Sequence, residues 1–577
     1  MIYKIIPTVE KTITSTTLEE RFNKEKGTIE STEFSLDDSF VPLLDSKICL
    51  KSFLESREFG KNLNGILPSF EIKLKEVKED ELLVSSSELF IFMLDVKDEN
   101  IAKIGLNDDY DQSVIKDAID SRLIGEYLNS IEVKRGDYFS IDKGTIYSFP
   151  LNSIYYEVSL NPSYPVLLDD AEMDSLDTKK YQNRSNRLKT KSSYKAIFVR
   201  DNIEVLRLYV KEKFTLRVKD SSFYHVLVIK GKPNMGGEVA QPFDSFYIDP
   251  DSKIEVEGEA DLLIVRCPKY YMGLDVGGTS IKGMIIDDIG LKITENKTVM
   301  TTAEEITANL KLAIDGLAEQ SNLPISLFKK LGVGFPGNIN TKEGEVVFSN
   351  NLDLHHYKLK EELENLYDFE VIVDNDANCA ALGEYKFTDK KKYHDMVLIT
   401  LGTGFGSGII IDSKLFKGGQ GSVTELGHMK IKTDRVMCTC GQYGCVEALT
   451  SLARIKMEVE KLRENEATGI NALLDEKESP LKLFTLKTDN EYVNDFVRKY
   501  LNNLLLALVN IANILQPQVI AIGGGVSYSI KEYIPSLEKR LNRMKYSSFE
   551  APYIKLVQAE LGNEAGSFGA CALTFDE

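Results

Sequence analysis

The chain is poor in several residue types that metal sites and stacking sites use. Its 577 residues include no tryptophan, five histidines and seven cysteines. The first histidine is His225, so a histidine-bearing metal centre cannot be assembled from residues 1–224. The sequence has no apolar run long enough to span a membrane. The short opening stretch 1–7 is followed by charged residues, unlike a secretory signal, and we expect a cytoplasmic protein.

Positive charge is also in deficit. Lys and Arg together number 70 against 89 Asp and Glu, which gives a formal net charge of −19. This balance disfavours nucleic acid and anionic membranes as partners, because binding phosphates needs concentrated Lys and Arg. The most basic stretch, residues 179–191, also contains Ser and Asn, and we interpret it as a connector between domains.

The hydrophobic periodicity changes near residue 270. Before it, short apolar alternation over residues 66–160 and 194–267 predicts antiparallel strands. These are residues 70–75, 88–95, 132–141, 154–160, 195–199, 205–210, 223–230, 246–248 and 262–265. After it, strands and helices alternate, which is typical of an α/β fold with parallel strand pairs. The pattern there predicts strands at 331–334, 371–374, 396–400 and 519–522 and a helix over 501–515. A chain of 577 residues has room for several domains. The expected divisions are β-rich regions 1–180 and 181–270, then two lobes, 271–395 and 396–577, with the last helix able to return to the first lobe.

The most informative segment, Glu425–Glu447, contains one imidazole and three thiols at metal-ligand spacing. The candidate ligands are His428, Cys438, Cys440 and Cys445. This set completes a tetrahedral zinc site with no open position, so the metal would be structural. The alternatives are ordinary small apolar side chains or a disulfide. Thiols clustered beside turn glycines, in a chain without a secretory signal, favour the metal.

A metal in this segment would hold the carboxylates of Glu425 and Glu447, which bracket it. Carboxylates held at fixed positions are suited to accept hydrogen bonds from a hydroxyl-rich substrate. The segment therefore predicts one wall of a polyol site.

Three glycine turns, each at the end of a predicted strand, form a second group of candidates. Glycine lets backbone N–H groups approach phosphates, because no Cβ blocks the approach. The turns together suggest a nucleotide held between two lobes, with phosphates on the first two and adenosine on the third. A tight hairpin is the alternative for each turn, and a solvated lysine is the alternative for Lys282. The candidates are Asp275, Gly277, Gly278, Thr279 and Lys282, then Gly402, Thr403 and Gly404, then Gly523, Gly524 and Gly525.

The segment Asp374–Glu384 runs from a buried strand into an alanine-rich helix, with Asn375 and Asp376 at the junction. A carboxylate there can take the proton of a sugar hydroxyl as it attacks a phosphoryl group, while the neighbouring amide orients the sugar. Helix capping by Asn or Asp is the alternative, and the two roles can coexist.

These segments together resemble the ROK family of sugar kinases. The matching motifs are D-x-G-G-T-x-x-K at Asp275, N-D-A-N at Asn375, E-L-G-H at Glu425 and C-x-C-G-x-x-G-C-x-E at Cys438. The resemblance implies a two-lobed actin-like ATPase fold and a dimeric assembly. It also implies phosphorylation of the 6-hydroxyl of glucose, or of mannose, fructose or an N-acetylated sugar, with ATP and Mg²⁺.

Carried onto this sequence, the resemblance makes Asp376 the catalytic base. It assigns contacts with the sugar to Gly337, Asn351, Asn375, Asp376, Glu425, His428 and Glu447. One imidazole nitrogen of His428 would bind zinc and the other would face the sugar, which would couple the metal to recognition. The loop around Asn351 departs from the family pattern, which has a tryptophan nearby.

The first half resembles the double β-barrel, or cupin, of type I mannose-6-phosphate isomerases, mainly over Glu132–Phe149. Tyr147 stands where that family has a zinc-binding histidine, and Phe70–Val77 lacks the family's Q-x-H pair. Glu88 matches the family's carboxylate ligand. We expect a cupin-like region with helical insertions and no isomerase activity, serving in dimerisation, sugar-phosphate sensing or scaffolding.

The leading hypothesis is therefore an ATP-dependent hexose kinase. A sugar-responsive regulator is the first alternative, because the ROK family includes repressors that keep the zinc motif. The β-rich first half offers no convincing DNA-recognition helix. A bifunctional mannose-6-phosphate isomerase and kinase is the second alternative, and the missing histidines count against it.

Overall fold

Contacts in the computed structural model divide the chain into two compact units, Met1–Lys269 (unit 1) and Tyr270–Glu577 (unit 2). The structure describes residues 70–79, 81–96, 100–160, 166–168, 176–177, 186–187, 195–200, 203–218, 223–249, 252–294, 297–302, 305–321, 323–349, 352–418, 424–432 and 436–575, with the backbone of five short strands before residue 50. No helix in these ranges has both the length and the apolar character that crossing a bilayer requires.

Unit 1 is built from strands that pair antiparallel throughout its described part. The strands are β1 Ile2–Lys4, β2 Thr8–Lys11, β3 Thr28–Phe34, β4 Phe40–Leu43, β5 Ser46–Cys49, β6 Phe70–Glu76, β7 Leu83–Val84, β8 Glu88–Asp95, β9 Ile101–Leu106, β10 Leu128–Glu132, β11 Asp137–Ile141, β12 Ile146–Ser148, β13 Ile154–Leu160, β14 Val166–Leu167, β15 Asn186–Arg187, β16 Lys195–Arg200, β17 Ile203–Val210, β18 Lys213–Arg217, β19 Tyr224–Gly231, β20 Asn234–Met235, β21 Glu238–Val239, β22 Ser245–Ile248, β23 Lys253–Glu257 and β24 Ala260–Arg266. Helix α1, Gln112–Asp120, lies between β9 and β10.

Central strands of the two larger sheets of unit 1, among them β8, β13, β19 and β24, are buried on both faces. A seven-stranded sheet has the order β15-β11-β8-β13-β6-β3-β2, and a six-stranded sheet has the order β1-β22-β19-β24-β17-β16. Tyr156 and Val158 of β13 share a core with Val205 and Leu263 of the six-stranded sheet. Tyr155, on the opposite face of β13, packs in a second core. Period-two alternation therefore separates two apolar faces in these strands instead of one apolar and one polar face.

Two expectations for unit 1 need correction. Residues 132–141 were expected to continue as one strand, but a turn closed at Gly136 (φ 90°) divides β10 from β11. The Asp137 carboxylate accepts the Lys134 N–H at 2.8 Å and stabilises that turn. Strand pairing also crosses the division expected at residue 180. Strand β1 covers the edge of β22, and β15 covers the edge of β11, as exposed sheet edges favour.

Unit 2 alternates strands and helices, as its periodicity predicts. The strands are β25 Tyr270–Val276, β26 Ser280–Asp287, β27 Lys297–Met300, β28 Lys330–Phe335, β29 Asn338–Asn340, β30 Glu345–Ser349, β31 Leu354–Tyr357, β32 Glu370–Asn375, β33 Met396–Leu401, β34 Phe405–Ile411, β35 Lys414–Phe416, β36 Val519–Gly523 and β37 Lys555–Gln558. The helices are α2 Ile306–Ser321, α3 Leu359–Glu364, α4 Asp376–Phe387, α5 Val446–Thr450, α6 Leu452–Glu464, α7 Glu491–Leu515, α8 Gly525–Ser529, α9 Ile534–Met544 and α10 Ala565–Leu573.

Two five-stranded sheets of unit 2 have the same topology. Their orders are β27-β26-β25-β28-β32 and β35-β34-β33-β36-β37. In each, three antiparallel strands are followed by two parallel ones. The repeated order gives unit 2 two lobes, each around one sheet. Parallel strands end at a common edge, so the turns and helix starts that follow them are brought together.

The helices that follow the two sheets are exchanged between the lobes. Helix α4 follows the first sheet but packs on the second, where Ala381 shares a core with Leu398. Helix α10 follows the second sheet and packs on the first. A Cβ on Gly332 would lie 1.8 Å from the carbonyl oxygen of Ala570. The two helices also touch each other, since a Cβ on Gly569 would overlap the carbonyl of Cys379. This crossing places the first turn of α4 between the lobes.

Candidate functional site

The first turn of α4 is held by Asn375. Its side-chain oxygen accepts the N–H groups of Ala377 at 2.9 Å and Asn378 at 3.3 Å, so Asn375 caps the helix. Its side-chain amide donates to the carbonyl oxygen of Gly337 at 3.1 Å. Asn375 thus caps the helix with its side-chain oxygen and links α4 to the loop at Gly337 with its side-chain NH₂ group.

Gly337 itself has a backbone conformation that favours glycine, with φ 118°. A Cβ there would lie 2.2 Å from the carbonyl oxygen of Phe348. Asn351, the other predicted sugar-loop residue, lies outside the described residues.

Asp376 begins α4 and stays partly open to solvent. Loss of hydration raises the pKa of its carboxyl, the N–H of Ala377 opposes this, and the negative charge of Glu425 raises the pKa further. The Ala377 hydrogen bond measures 2.9 Å to Oδ1. Asp376 is therefore a carboxylate with elevated proton affinity at a helix start between two lobes.

Asp275 lies near Asp376, at the end of β25. Burial raises the pKa of Asp275 to about 7, the charge of Asp376 adds to the rise, and Lys282 opposes it. Lys282 is the cross-strand partner of Asp275 in β26. The start of α10 closes over the same carboxyl, because a Cβ on Gly566 would lie 2.4 Å from the Asp275 carboxyl carbon.

A row of four carboxylates from separate segments lines this region, and we call it the acidic row. Its members are Asp275, Asp376, Glu425 and Glu447. Each interacts electrostatically with the next: Asp376 with Asp275, Glu425 with Asp376, and Glu447 with Glu425. Loss of hydration also raises the pKa of Glu425, and His428 lowers it. Such a row can accept hydroxyl protons and hydrogen bonds or ligate a hard cation.

The thiol cluster beside the row has the shape of a tetrahedral metal site. The ligand atoms of His428, Cys438, Cys440 and Cys445 all lie within 4.8 Å of one another. The Sγ atoms of Cys440 and Cys445 are 3.8 Å apart, and Cys438 Sγ is 3.6 Å from His428 Nδ1. Zn–S bonds of about 2.3 Å and Zn–N bonds of about 2.05 Å give tetrahedral edges of about 3.8 and 3.6 Å. The donor set therefore fits zinc, and the separation of the thiols excludes a Cys440–Cys445 disulfide in this structure.

His428 connects this cluster to the acidic row. Its Nδ1 faces Cys438, whereas its Nε2 lies 3.9 Å from Oε2 of Glu425. The two ring nitrogens thus face different partners.

Glu447 connects the cluster to the second glycine turn. Its Oε2 accepts the N–H of Phe405 at 3.1 Å, and its Oε1 accepts the hydroxyl of Thr439 at 3.0 Å. A Cβ on Gly404 would lie 2.5 Å from Oε2 of Glu447, so only glycine allows this approach. The sequence pattern predicts a sugar-binding role for Glu447, and the structure adds a link to the turn.

The three predicted glycine turns all follow strands. Gly277–Thr279 forms the tip between β25 and β26, and Gly402–Gly404 the tip between β33 and β34. The third turn begins at the end of β36. Gly524 has φ 81°, and a Cβ there would lie 2.4 Å from the carbonyl oxygen of Leu401. The second and third turns therefore adjoin, while Gly278, Thr279 and Thr403 are exposed to solvent.

The sequence pattern of the ROK family matches residues 271–577. The chain belongs to the ROK family. Over 311 residues it is 31% identical to the glucokinase of Streptomyces coelicolor, covering 52% of this chain and 96% of the relative. It is 27% identical to the xylose repressor of Caldicellulosiruptor bescii, covering 53% of this chain and 78% of the repressor. A solved structure of a ROK family glucokinase from Streptomyces griseus, in complex with glucose and AMPPNP, is 30% identical to this chain. The match covers 53% of this chain and 98% of the glucokinase chain, with a TM-score of 0.46.

Membership assigns the fold of unit 2 as the two-lobed actin-like fold of ROK sugar kinases. The family match, residues 271–577, lies wholly within unit 2 of this ROK protein. Sequence reasoning identified the motifs of the acidic row and the thiol cluster, but it gave no role to Asp374 or Lys417. These two residues pair in the structure, and neither belongs to a motif that signals the pairing.

The raised pKa of Asp275 predicts that replacing this residue changes the stability of the protein by an amount that depends on pH. The folded-state pKa is about 7, above the ordinary value of 3.8, so burying the ionised form costs stability. The cost is absent below about pH 4, grows between the two pKa values and is constant above about pH 7. Asp275→Asn should therefore stabilise the ligand-free protein by about 2 kcal/mol at pH 8, allowing for residual hydration of a partly exposed group.

Urea unfolding of the wild type and Asp275→Asn at pH 5, 6, 7 and 8 measures this difference. The exposed Asp368 supplies a matched control through Asp368→Asn, which should show no such trend. A stabilisation that is the same at every pH would contradict the electrostatic origin.

Proposed function

We propose that this ROK protein is an ATP-dependent hexose kinase that transfers the γ-phosphoryl group to the 6-hydroxyl of glucose or a related hexose. The observation that carries the proposal is the acidic row, with Asp376 at a helix start between the two lobes. Its raised pKa suits a group that must take a proton near neutral pH. Likeness to a glucokinase across 96% of that relative supports the same reaction class.

In the proposed mechanism, Asp376 accepts the proton of the attacking hydroxyl. Asn375, Glu425, His428 and Glu447, with the loop of Gly337 and Asn351, would orient the remaining hydroxyls. Because the phosphoryl-transfer transition state is loose, positioning and neutralisation of charge supply most of the catalysis.

The nucleotide would lie against the glycine turns. The N–H groups of Gly277 and Gly402 donate within their own turns, so the exposed Gly278, Thr279 and Thr403 would offer their backbone N–H groups to the phosphates. The Gly523–Gly525 turn would face adenosine. Mg²⁺ carried with ATP would supply neutralisation of phosphate charge, and Asp275 would be the carboxylate that holds it. Binding of Mg²⁺ would explain why a buried carboxyl is kept at position 275 although its ionisation costs stability.

We assign zinc to the cluster of His428, Cys438, Cys440 and Cys445. Three thiolates and one imidazole leave no open position, so zinc here would shape the sugar wall without taking part in the reaction. The hydrogen bond from Phe405 to Glu447 would extend this effect to the neighbouring turn.

For unit 1 we propose a cupin-like region without isomerase activity. Tyr147 is buried among aromatic side chains such as Phe149 and cannot replace a neutral imidazole as a ligand. Glu88, which the resemblance matches to a carboxylate ligand of the metal, forms an ion pair with Arg200 in this structure. Within the described part of unit 1, no three metal-ligating side chains come together.

A coupled assay of the full chain tests the kinase proposal. ADP formation is measured with glucose, mannose, fructose and N-acetylglucosamine, and the product is examined for a 6-phosphate. No ADP with any of these sugars, in a preparation that contains zinc and Mg²⁺, would refute the proposal. The same protein should not isomerise mannose 6-phosphate, and zinc-dependent isomerisation would instead establish the bifunctional alternative.

A sugar-responsive regulator is the second candidate, since a xylose repressor is among the relatives. The net charge of −19 opposes DNA binding. Retention of duplex DNA at physiological salt, released by a sugar, would favour this candidate.

A further inference from the structure

An ion pair that the motifs do not predict joins the two lobes of unit 2 beside Asp376. Lys417 directly follows β35, the edge strand of the second sheet, and Asp374 lies in β32 of the first sheet. Lys417 Nζ is 2.6 Å from Asp374 Oδ2. The side chain of Asp374 is 1% exposed and that of Lys417 is 34% exposed. We call this pair the Lys417–Asp374 strap.

The other oxygen of Asp374 organises the start of α4. Its Oδ1 accepts the backbone N–H of Asn375 at 2.8 Å and the side-chain amide of Asn378 at 2.9 Å. These two donors flank Asp376 in the chain. The carboxylate of Asp374 therefore fixes the Asp374–Asn375 peptide before Asp376 and the side chain of Asn378 after it.

The orientation of that carboxylate depends on Lys417. Among the residues that the structure describes, Lys417 is the cation paired with Asp374. An ionised carboxylate with so little exposure is strongly disfavoured without a cation, and removal of one partner of a buried pair leaves the other uncompensated. Without Lys417, Oδ2 of Asp374 loses its cationic partner, and the carboxylate would turn towards water. That rotation would alter the hydrogen bonds that hold the first turn of α4.

We propose that Lys417 is a positioning residue for phosphoryl transfer, acting through Asp374 on the placement of Asp376. The strap couples the edge of the second lobe to the end of the first sheet, so the base is correctly aimed only while both lobes are in this arrangement. This inference rests on the proposed kinase function and adds a residue to it. Lys417 does not contact the sugar or the nucleotide in this scheme.

Steady-state kinetics of Lys417→Met test the strap. We expect kcat to fall by about tenfold to a hundredfold, as a small misplacement of a catalytic group does, with KM for hexose and ATP within about threefold of wild type. Lys417→Arg, which keeps the charge, should recover most of kcat. Lys414→Met is the matched control, since Lys414 is an exposed lysine of the same hairpin, and it should match the wild type.

The double variant Asp374→Asn, Lys417→Met separates positioning from simple charge compensation. An asparagine keeps an acceptor for Asn375 and Asn378 and removes the buried charge, so thermal stability should recover. The proposal expects kcat to stay low, because the link to the second lobe is still missing. Recovery of wild-type kcat in the double variant, or wild-type kcat in Lys417→Met, would overturn the proposal.

Hydrogen–deuterium exchange of the ligand-free protein gives a readout that needs no kinase activity. Lys417→Met should accelerate exchange in the peptide covering residues 370–380, and Lys414→Met should not. If the wild type phosphorylates no sugar but this acceleration is seen, the proposed function fails while the strap's effect on α4 stands. Unchanged exchange in Lys417→Met would overturn the strap whatever the activity.

Discussion

Asp376→Asn is expected to lower kcat for sugar phosphorylation by about 10³-fold, because loss of a positioned general base removes a contribution of roughly 10² to 10⁴. The asparagine oxygen can still accept the N–H of Ala377, which bonds Asp376 at 2.9 Å in the wild type. Helix α4 should therefore keep its start, and KM for the sugar should change little. Steady-state kinetics with a coupled ADP assay measure both constants.

The pH profile gives a second test of Asp376. Because its pKa is raised, the carboxyl stays protonated to a higher pH than an ordinary aspartate and cannot accept the hydroxyl proton there. The acid limb of kcat/KM should therefore lie above the range of an unperturbed carboxyl. Glu425→Gln is a useful comparison, since loss of a sugar contact should raise KM more than it lowers kcat. A fall of less than tenfold in Asp376→Asn would assign the base elsewhere.

Cys438→Ser and Cys440→Ser are expected to lose bound zinc and to lower kcat/KM for the sugar by about 10- to 100-fold, the range found when metal-site support is lost. The physical reason is geometric. His428 and Glu447, on either side of the cluster, would no longer be held beside Glu425, so sugar binding should weaken. Zinc content and kinetics are measured on the same preparations.

Met437→Ser is the matched control, because Met437 adjoins the cluster, is 66% exposed and donates no ligand. It should keep zinc and activity. Full activity in a cysteine variant that has lost its zinc would break the link between the metal and sugar recognition.

Local signals predicted much of unit 2. Apolar runs located β28, β32, β33 and β36, and the glycines after β25 and β33 form turns between paired strands. The third predicted turn is instead a junction at Gly524, between β36 and helix α8. The pattern at Asn375 predicted both a cap and a site residue, and the structure shows the cap directly. These features were predictable because each depends on residues that are close in sequence.

Features that depend on distant residues were not predictable. The sequence places His428 near three thiols, but only the structure shows which nitrogen faces Cys438 and which faces Glu425. It gives no sign that Lys417 would meet Asp374, because one lysine on an edge hairpin resembles any solvated lysine. Helix α7 was expected from Leu501, yet it starts at Glu491, where Asn490 accepts the N–H of Val493 at 3.1 Å.

Strands of unit 1 were predicted best where both faces are apolar. Strands β8 and β13 have the expected bounds. Strand β23 was missed, since its charged residues Lys253, Glu255 and Glu257 alternate with two buried side chains over only five residues. So short a pattern resembles a polar loop until its neighbours β18 and β20 are known.

The exchange of α4 and α10 between the two sheets of unit 2 has a consequence for how the gene can be divided. A cut between residues 395 and 396 separates the sheets cleanly in sequence, but it leaves each fragment with the helix that covers the other fragment's sheet. Neither piece then contains the partner for its own apolar face at Gly332 or Leu398. We therefore expect the two lobes to fold together and neither fragment to be stable alone, because each sheet is covered by a helix that the other segment supplies.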